Sequence, residues 1–155
     1  MIEIADSAMD LSHMQHALEL ARRGAAQGEV PVGAVLVHGG RVVGEGYNRP
    51  VCSHDPTGHA EMIALRAGAE TLGNYRLGGA TLYVTLEPCI MCAGAIVHAR
   101  VSRLVYGAPD PKGGAAGSVF DLFSSHRINH RVKVEGGLLA AECGAVLREF
   151  FRARR

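Results

Sequence analysis

Residues Ala80 to Thr85 read Ala-Thr-Leu-Tyr-Val-Thr, and after Leu86-Glu87 the chain continues Pro88-Cys89-Ile90-Met91-Cys92. The first run is short, apolar and rich in β-branched and aromatic residues, which predicts a strand. Pro88 suits the first turn of a helix, here expected to run to about Ala99. A strand that feeds a helix through a short turn is the unit of an α/β sheet, and such sheets place their sites on the loops that follow strands. The two cysteines are three apart at the start of that helix. There they share one face and can grip one ion. The positive end of a helix also lowers the cost of holding sulfur as thiolate, the form a metal requires.

Upstream, His59 to about Gly68 has helical composition and begins His59-Ala60-Glu61. Asn48 to Gly58 is rich in Pro, Gly, Asp and Asn and reads as a loop. Val32 to Val37 is a nearly all-apolar strand. Gly39-Gly40 turns it into an antiparallel partner over Arg41 to Tyr47. Ser12 to Ala26 places Met14, Ala17, Leu18, Ala21 and Ala25 at helical spacing, with Gly28 as its stop. Downstream come a fourth strand over Arg103 to Tyr106, a Gly/Pro-rich loop from Ala108 to Ser118, a short strand near Arg131 to Val134, and a last helix from Leu139 to Arg152. Alternating strands and helices predict one α/β layered domain over residues 1–155, and the opening hairpin makes its five-stranded sheet mixed.

The chain has 155 residues, 48% apolar and 20% charged, enough apolar sequence for a packed core. Its formal net charge of +1 does not by itself announce a nucleic-acid binder, although Arg148, Arg152, Arg154 and Arg155 make a basic end. No apolar run is long enough to cross a bilayer, and Glu3 and Asp6 do not fit a signal peptide. The expectation is a cytoplasmic protein. Four cysteines are too few for a disulfide scaffold of this length, so Cys89 and Cys92 point to metal or redox chemistry.

The spacing of His59 and Glu61 separates their roles. Residues two apart on a helix face different sides, so they make a poor pair of ligands to one ion. One ligand and one neighbouring proton carrier is easier to build. His59, Cys89 and Cys92 then leave a coordination position for water, the pattern of a catalytic zinc site. Zinc lowers the pKa of its water towards roughly 7, and a carboxylate such as Glu61 can take that proton and return it to a substrate. A structural zinc would need a fourth protein ligand. Cys52 and Cys143 are the candidates, and both read better as small buried apolar residues. His54, His98 and His130 read as surface or capped groups.

His59-x-Glu61 together with Pro88-Cys89-x-x-Cys92 resembles the signature of the cytidine/deoxycytidylate deaminase superfamily. The resemblance covers about His16 to Arg155. Through Glu29 to Val37, Glu45 to Pro50, Thr81 to Cys92, Gly114 to Ser118 and Phe150 to Arg152 it narrows to the bacterial tRNA adenosine deaminases. It implies a three-layer α/β/α sandwich around the mixed sheet. It also implies hydrolysis of the wobble adenosine of a tRNA anticodon, in an arginine tRNA, to inosine. Zinc hydroxide, one Zn2+ per subunit, would attack C6, and Glu61 would shuttle protons. By the same resemblance Asn48 hydrogen-bonds the flipped nucleoside, Asp110 and Lys112 approach the RNA backbone, and Phe151 with Arg152 meets flanking nucleotides. A homodimer is implied, for which Ile90, Met91, Ile96 and Val97 offer apolar contacts. Of Phe150 and Phe151, adjacent in sequence, one is expected to pack inward. Two other functions compete. A free-base or nucleotide deaminase would share the zinc chemistry but has no use for the basic, aromatic C-terminus. A non-catalytic RNA-binding module with structural zinc has no use for Glu61.

Overall fold

Both glycines of the Gly39-Gly40 turn have positive φ, +59° and +76°, a conformation that glycine adopts without steric cost and that matches the twist of a tight hairpin. That turn joins two strands in a computed structural model that describes residues 4–154, with side chains from residue 8 onward. Glu3, the side chain of Asp6, and Arg155 lie outside this description. In chain order the elements are α1 (Ile4–Ala26), β1 (Gly33–His38), β2 (Arg41–Tyr47), α2 (Pro50–Ser53), α3 (Ala60–Leu72), β3 (Thr81–Leu86), α4 (Ile90–His98), β4 (Arg103–Ala108), β5 (Lys133–Gly136) and α5 (Ala140–Arg152).

The sheet order is β2-β1-β3-β4-β5, with β1 antiparallel to both neighbours and β3, β4 and β5 mutually parallel. Strands β2 to β5 therefore all point the same way. The carboxyl ends of β2, β3 and β4 gather at one edge, and the segments bearing His59, Cys89 and Asp110 leave from that edge.

Side chains of each strand alternate between two cores. Ala34, Leu36, Leu82, Val84 and Leu104 pack against Ala60, Ala64 and Leu65 of α3 and Ala93, Ile96 and Val97 of α4. Val35, Val37, Tyr83 and Val105 pack on the opposite face against Met14, Ala17 and Leu18 of α1 and Cys143 of α5. This is a three-layer α/β/α sandwich around a mixed five-stranded sheet. Burying a side chain the size of Leu82 or Val84 is worth about 1.5–3 kcal/mol, so these two layers supply the main stabilisation. Asp10, buried on the sheet-facing side of α1, accepts from the Tyr83 hydroxyl at 2.6 Å and from Arg103 at 2.7 and 2.8 Å. Arg103 also pairs with Glu135 of β5 at 2.7 Å, which ties α1, β3, β4 and β5 together.

Several boundaries differ from the sequence reading. Helix α1 begins at Ile4, before the recognisable apolar spacing starts. Pro88 precedes the helix rather than entering its first turn, because Cys89 is the N-cap with an extended backbone. The short helix α2 sits inside the segment expected to be loop, with Pro50 in its first turn. Strand β5 lies two residues later than expected. Ile96 and Val97 face the core, so they are not available to a dimer interface; Ile90 is exposed.

Candidate metal and proton-transfer site

Helix α3 lies unusually close to β2, and glycines make this approach possible. A Cβ on Gly44 would stand 2.3 Å from the Ala64 carbonyl, and one on Gly46 would stand 2.5 Å from that of Ala60. The first turn of α3 is thereby fixed over the end of β2. His59 is the N-cap of this helix, with an extended backbone and no capping hydrogen bond from its own side chain. Its ring reaches instead toward the start of α4. Nδ1 lies 3.6 Å from Cys89 Sγ and 3.5 Å from Cys92 Sγ. One donor atom from each of these three residues falls within 4.8 Å of the others, close enough to hold a single metal ion. Among the described residues, the His, Cys, Asp and Glu side chains of this cluster are these three alone.

The thiols differ. Hydrogen bonds from Cys92 and His59 push the Cys89 thiol down to about 4. The hydrogen bond to Cys89 and burial hold Cys92 up. The hydrogen bond to Cys89 also raises the His59 imidazole. Glu61, in the first turn of α3, is buried, and burial pushes its carboxyl up to about 7 despite the nearby imidazole. A group poised there can both accept and release a proton at neutral pH.

Asn48, at the end of β2, accepts the Ala60 backbone N–H on Oδ1 at 2.8 Å. Asp110, Lys112 and Phe151 line one groove of about 650 Å³ with Val30, Leu86 and Leu147. Lys112, Phe151 and Arg152 line an adjoining one of about 390 Å³. Asp110 turns Oδ1 onto its own loop, accepting the N–H groups of Lys112 at 3.0 Å and Gly113 at 3.3 Å. Phe150 is buried and Phe151 exposed, the division expected of the pair. Arg154 stacks its guanidinium 3.6 Å from the Phe150 ring centre. Cys143 is buried, whereas Cys52 is exposed, contrary to the sequence reading. Neither belongs to the cluster of His59, Cys89 and Cys92. His130 holds the Val101 carbonyl at 2.7 Å, a structural role.

Besides Asp10, two buried carboxylates escaped the sequence reading. Glu29 accepts the N–H groups of Val51 at 3.2 Å and Cys52 at 2.7 Å, pinning α2. Burial alone would raise its pKa, but these bonds outweigh it and hold the carboxyl down. Glu87 similarly accepts bonds from residues 110, 116 and 118. The only sequence signal was an acidic residue in the apolar segment flanking a strand, Glu29-Val30-Pro31-Val32 before β1 and Leu86-Glu87-Pro88 at the end of β3.

The chain is similar in sequence and fold to known deaminases. The deaminase family described as MafB19-like matches residues 9–155. The tRNA-specific adenosine deaminase of Haemophilus influenzae (strain ATCC 51907 / DSM 11121 / KW20 / Rd) is 55% identical over 150 residues, which cover 96% of this chain and 87% of that protein. A solved structure from work on A-to-I editing by tRNA:A34 deaminases at the wobble position of transfer RNA is 48% identical. It superposes with a TM-score of 0.85 over 88% of this chain and 99% of its own. A guanine deaminase from Nitrosomonas europaea is more distant, at 27% identity and a TM-score of 0.77 over 90% of this chain and 83% of its own.

Proposed function

This chain belongs to the tRNA-specific adenosine deaminase family, and from that premise we propose that it hydrolyses the wobble adenosine of a tRNA anticodon, in an arginine tRNA, to inosine and ammonia. The observation that carries this reading is the convergence of His59, Cys89 and Cys92 beside buried Glu61. The donor set supports zinc, one per subunit. A tetrahedral ion with bonds of about 2.3 Å to sulfur and 2.0–2.1 Å to nitrogen sets sulfur–nitrogen separations near 3.6 Å. The observed 3.5 and 3.6 Å fit that spacing. When bound, zinc supplies the Lewis acidity that makes water nucleophilic at neutral pH.

The chain's own groups do the rest. Glu61 takes a proton from the attacking water and passes it to the adenine ring nitrogen; it then takes the second proton from the new C6 hydroxyl and gives it to the amino group, which departs as ammonia while the C6 carbonyl forms. Asn48 keeps its amide N–H groups for the flipped nucleoside while Oδ1 holds the helix. Lys112 and Arg152 meet phosphates, and exposed Phe151 offers a stacking surface for a flanking base. Asp110 shapes the loop that carries Lys112. A single deaminase domain over 1–155 and a cytoplasmic location complete the reading. No helix among the described residues is long and apolar enough to cross a membrane, in keeping with it.

A homodimer also belongs to this reading. Exposed Ile90 and Tyr75, with a shallow apolar groove between Met62, Leu65, Ala69 and Ala95, support a self-association face on α3 and α4.

The test is incubation of the zinc-loaded protein with an arginine-tRNA anticodon stem-loop and mass analysis of the digested product. Inosine at the wobble position is expected. No inosine, or faster turnover of free guanine or cytidine, would overturn the proposal.

A further inference from the structure

The carboxylate of Glu87 lies between the metal half-site and the loop that carries Lys112. It is almost fully buried. Two residues on is Cys89, and one residue back is Leu86, which lines the 650 Å³ groove. The main chain around Glu87 is tied to β4 and the following loop: its N–H donates to the Ala108 carbonyl at 2.9 Å, and the Pro88 carbonyl accepts the Ala115 N–H at 2.8 Å. Its side chain gathers the rest. Oε1 accepts the Asp110 N–H at 3.0 Å and the Ser118 hydroxyl. Oε2 accepts the N–H groups of Ala116 at 2.9 Å and Ser118 at 3.1 Å. Gly114 closes over the carboxylate, where a Cβ would fall 2.3 Å from Cδ. No protein cation pairs with Glu87 within ion-pair distance among the described residues. Its charge is therefore taken up by three backbone N–H groups and one hydroxyl of a single loop, and such charge-assisted bonds are stronger than neutral ones.

We propose that Glu87 is a positioning residue. It holds the 108–118 segment, and with it Lys112, at a fixed place beside the metal site, and so sets the KM for RNA without touching the substrate. The inference rests on the reading of this loop as RNA-facing. Gln has nearly the same shape as Glu, but its NH2 group must oppose at least one N–H donor that the carboxylate accepted.

The test is a double-mutant cycle of Glu87→Gln and Lys112→Ala, with zinc content, kcat and KM measured on an anticodon stem-loop over a range of salt concentrations. Loss of hydrogen bonds to a charged group predicts a KM for Glu87→Gln raised about tenfold, with zinc content kept and kcat within about twofold. Because a phosphate contact is lost, the slope of log KM against log salt should fall by about one. Lys112→Ala should raise KM too, and the two effects should be markedly less than multiplicative when combined. Ser118→Ala, which removes one bond and leaves the carboxylate in place, should raise KM less and in the same direction. Independent effects, an unchanged salt slope, loss of zinc, or a fall in kcat alone would overturn the role of Glu87. If Lys112→Ala leaves KM unchanged, the RNA-facing reading of the loop fails first, and the proposal falls with it. If Glu87→Gln does not fold, an unchanged KM in Ser118→Ala overturns the proposal.

Discussion

Asn48 Oδ1 accepts the backbone N–H of Ala60 at 2.8 Å, so the cap of α3 comes from the end of β2 and not from His59, the residue in the N-cap position. The imidazole is thereby released to face Cys89 and Cys92. One hydrogen bond couples the end of β2 to the position of the His59, Cys89 and Cys92 cluster and of Glu61.

The two functions assigned to Asn48 can be separated. Asn48→Ala removes the cap and should cost about 1 kcal/mol of stability. Asn48→Asp keeps an acceptor at a helix N-terminus, where negative charge is favourable, so its Tm should stay near that of the parent. It loses the amide donor, and its kcat/KM on RNA should fall at least about tenfold. Thermal melts and kinetics on both variants check this. Full activity in Asn48→Asp would remove Asn48 from the substrate pocket.

Gly46 is where β2 and α3 come closest to the site. A methyl group there would stand 2.5 Å from the Ala60 carbonyl and 2.9 Å from the Ala64 amide. Gly46→Ala should push the first turn of α3 outward, cost about 1–3 kcal/mol, and lower zinc occupancy because His59 moves with the turn. Calorimetry and metal analysis read the two effects. A destabilised protein with full zinc would separate the packing of β2 and α3 from the metal site.

Most of the scaffold could be read from residue spacing because its elements are locally specified. The glycine turn, the apolar strands Val32–Val37 and Ala80–Thr85, and the helix carrying Cys89 and Cys92 each follow from a few adjacent residues. The convergence of His59, Cys89 and Cys92 was legible because two short fragments contain all three. What was hidden depends on distant partners. Glu29 and Glu87 find their donors more than twenty residues away, and nothing near either residue in sequence signals those amides. Helix α4 reads Ile-Met-Cys-Ala-Gly-Ala-Ile-Val-His, too uniformly apolar to show which side meets the core. The sequence therefore does not separate buried Ile96 and Val97 from exposed Ile90. Cys52 was misread because α2, whose first turn is pinned by buried Glu29, exposes it.

Acid should weaken the fold through the buried cluster that joins Asp10 of α1 to Arg103 and Glu135 of the sheet. Hydrogen bonding to Arg103 holds Asp10 below the usual carboxylate range, and the same guanidinium lowers Glu135. Their folded-state pKa values lie below the unfolded ones. The stability they add is therefore complete above the unfolded values and is lost as pH falls through the folded ones. Asp10→Asn should cost about 3 kcal/mol at pH 7, since Arg103 keeps Glu135 as a partner. In urea unfolding at a series of pH values, the gap between variant and parent should narrow below about pH 4. A gap independent of pH would assign the loss to packing instead.

Replacing Glu61 tests the separation of metal holding from proton transfer most directly. Zinc content per chain and inosine formation on the anticodon stem-loop would be measured together for Glu61→Gln. One zinc per chain, intact RNA binding and a kcat lowered by about 10²–10⁴ are predicted. Loss of the zinc, or turnover close to that of the parent protein, would contradict the division of roles between His59, Cys89 and Cys92 on one side and Glu61 on the other.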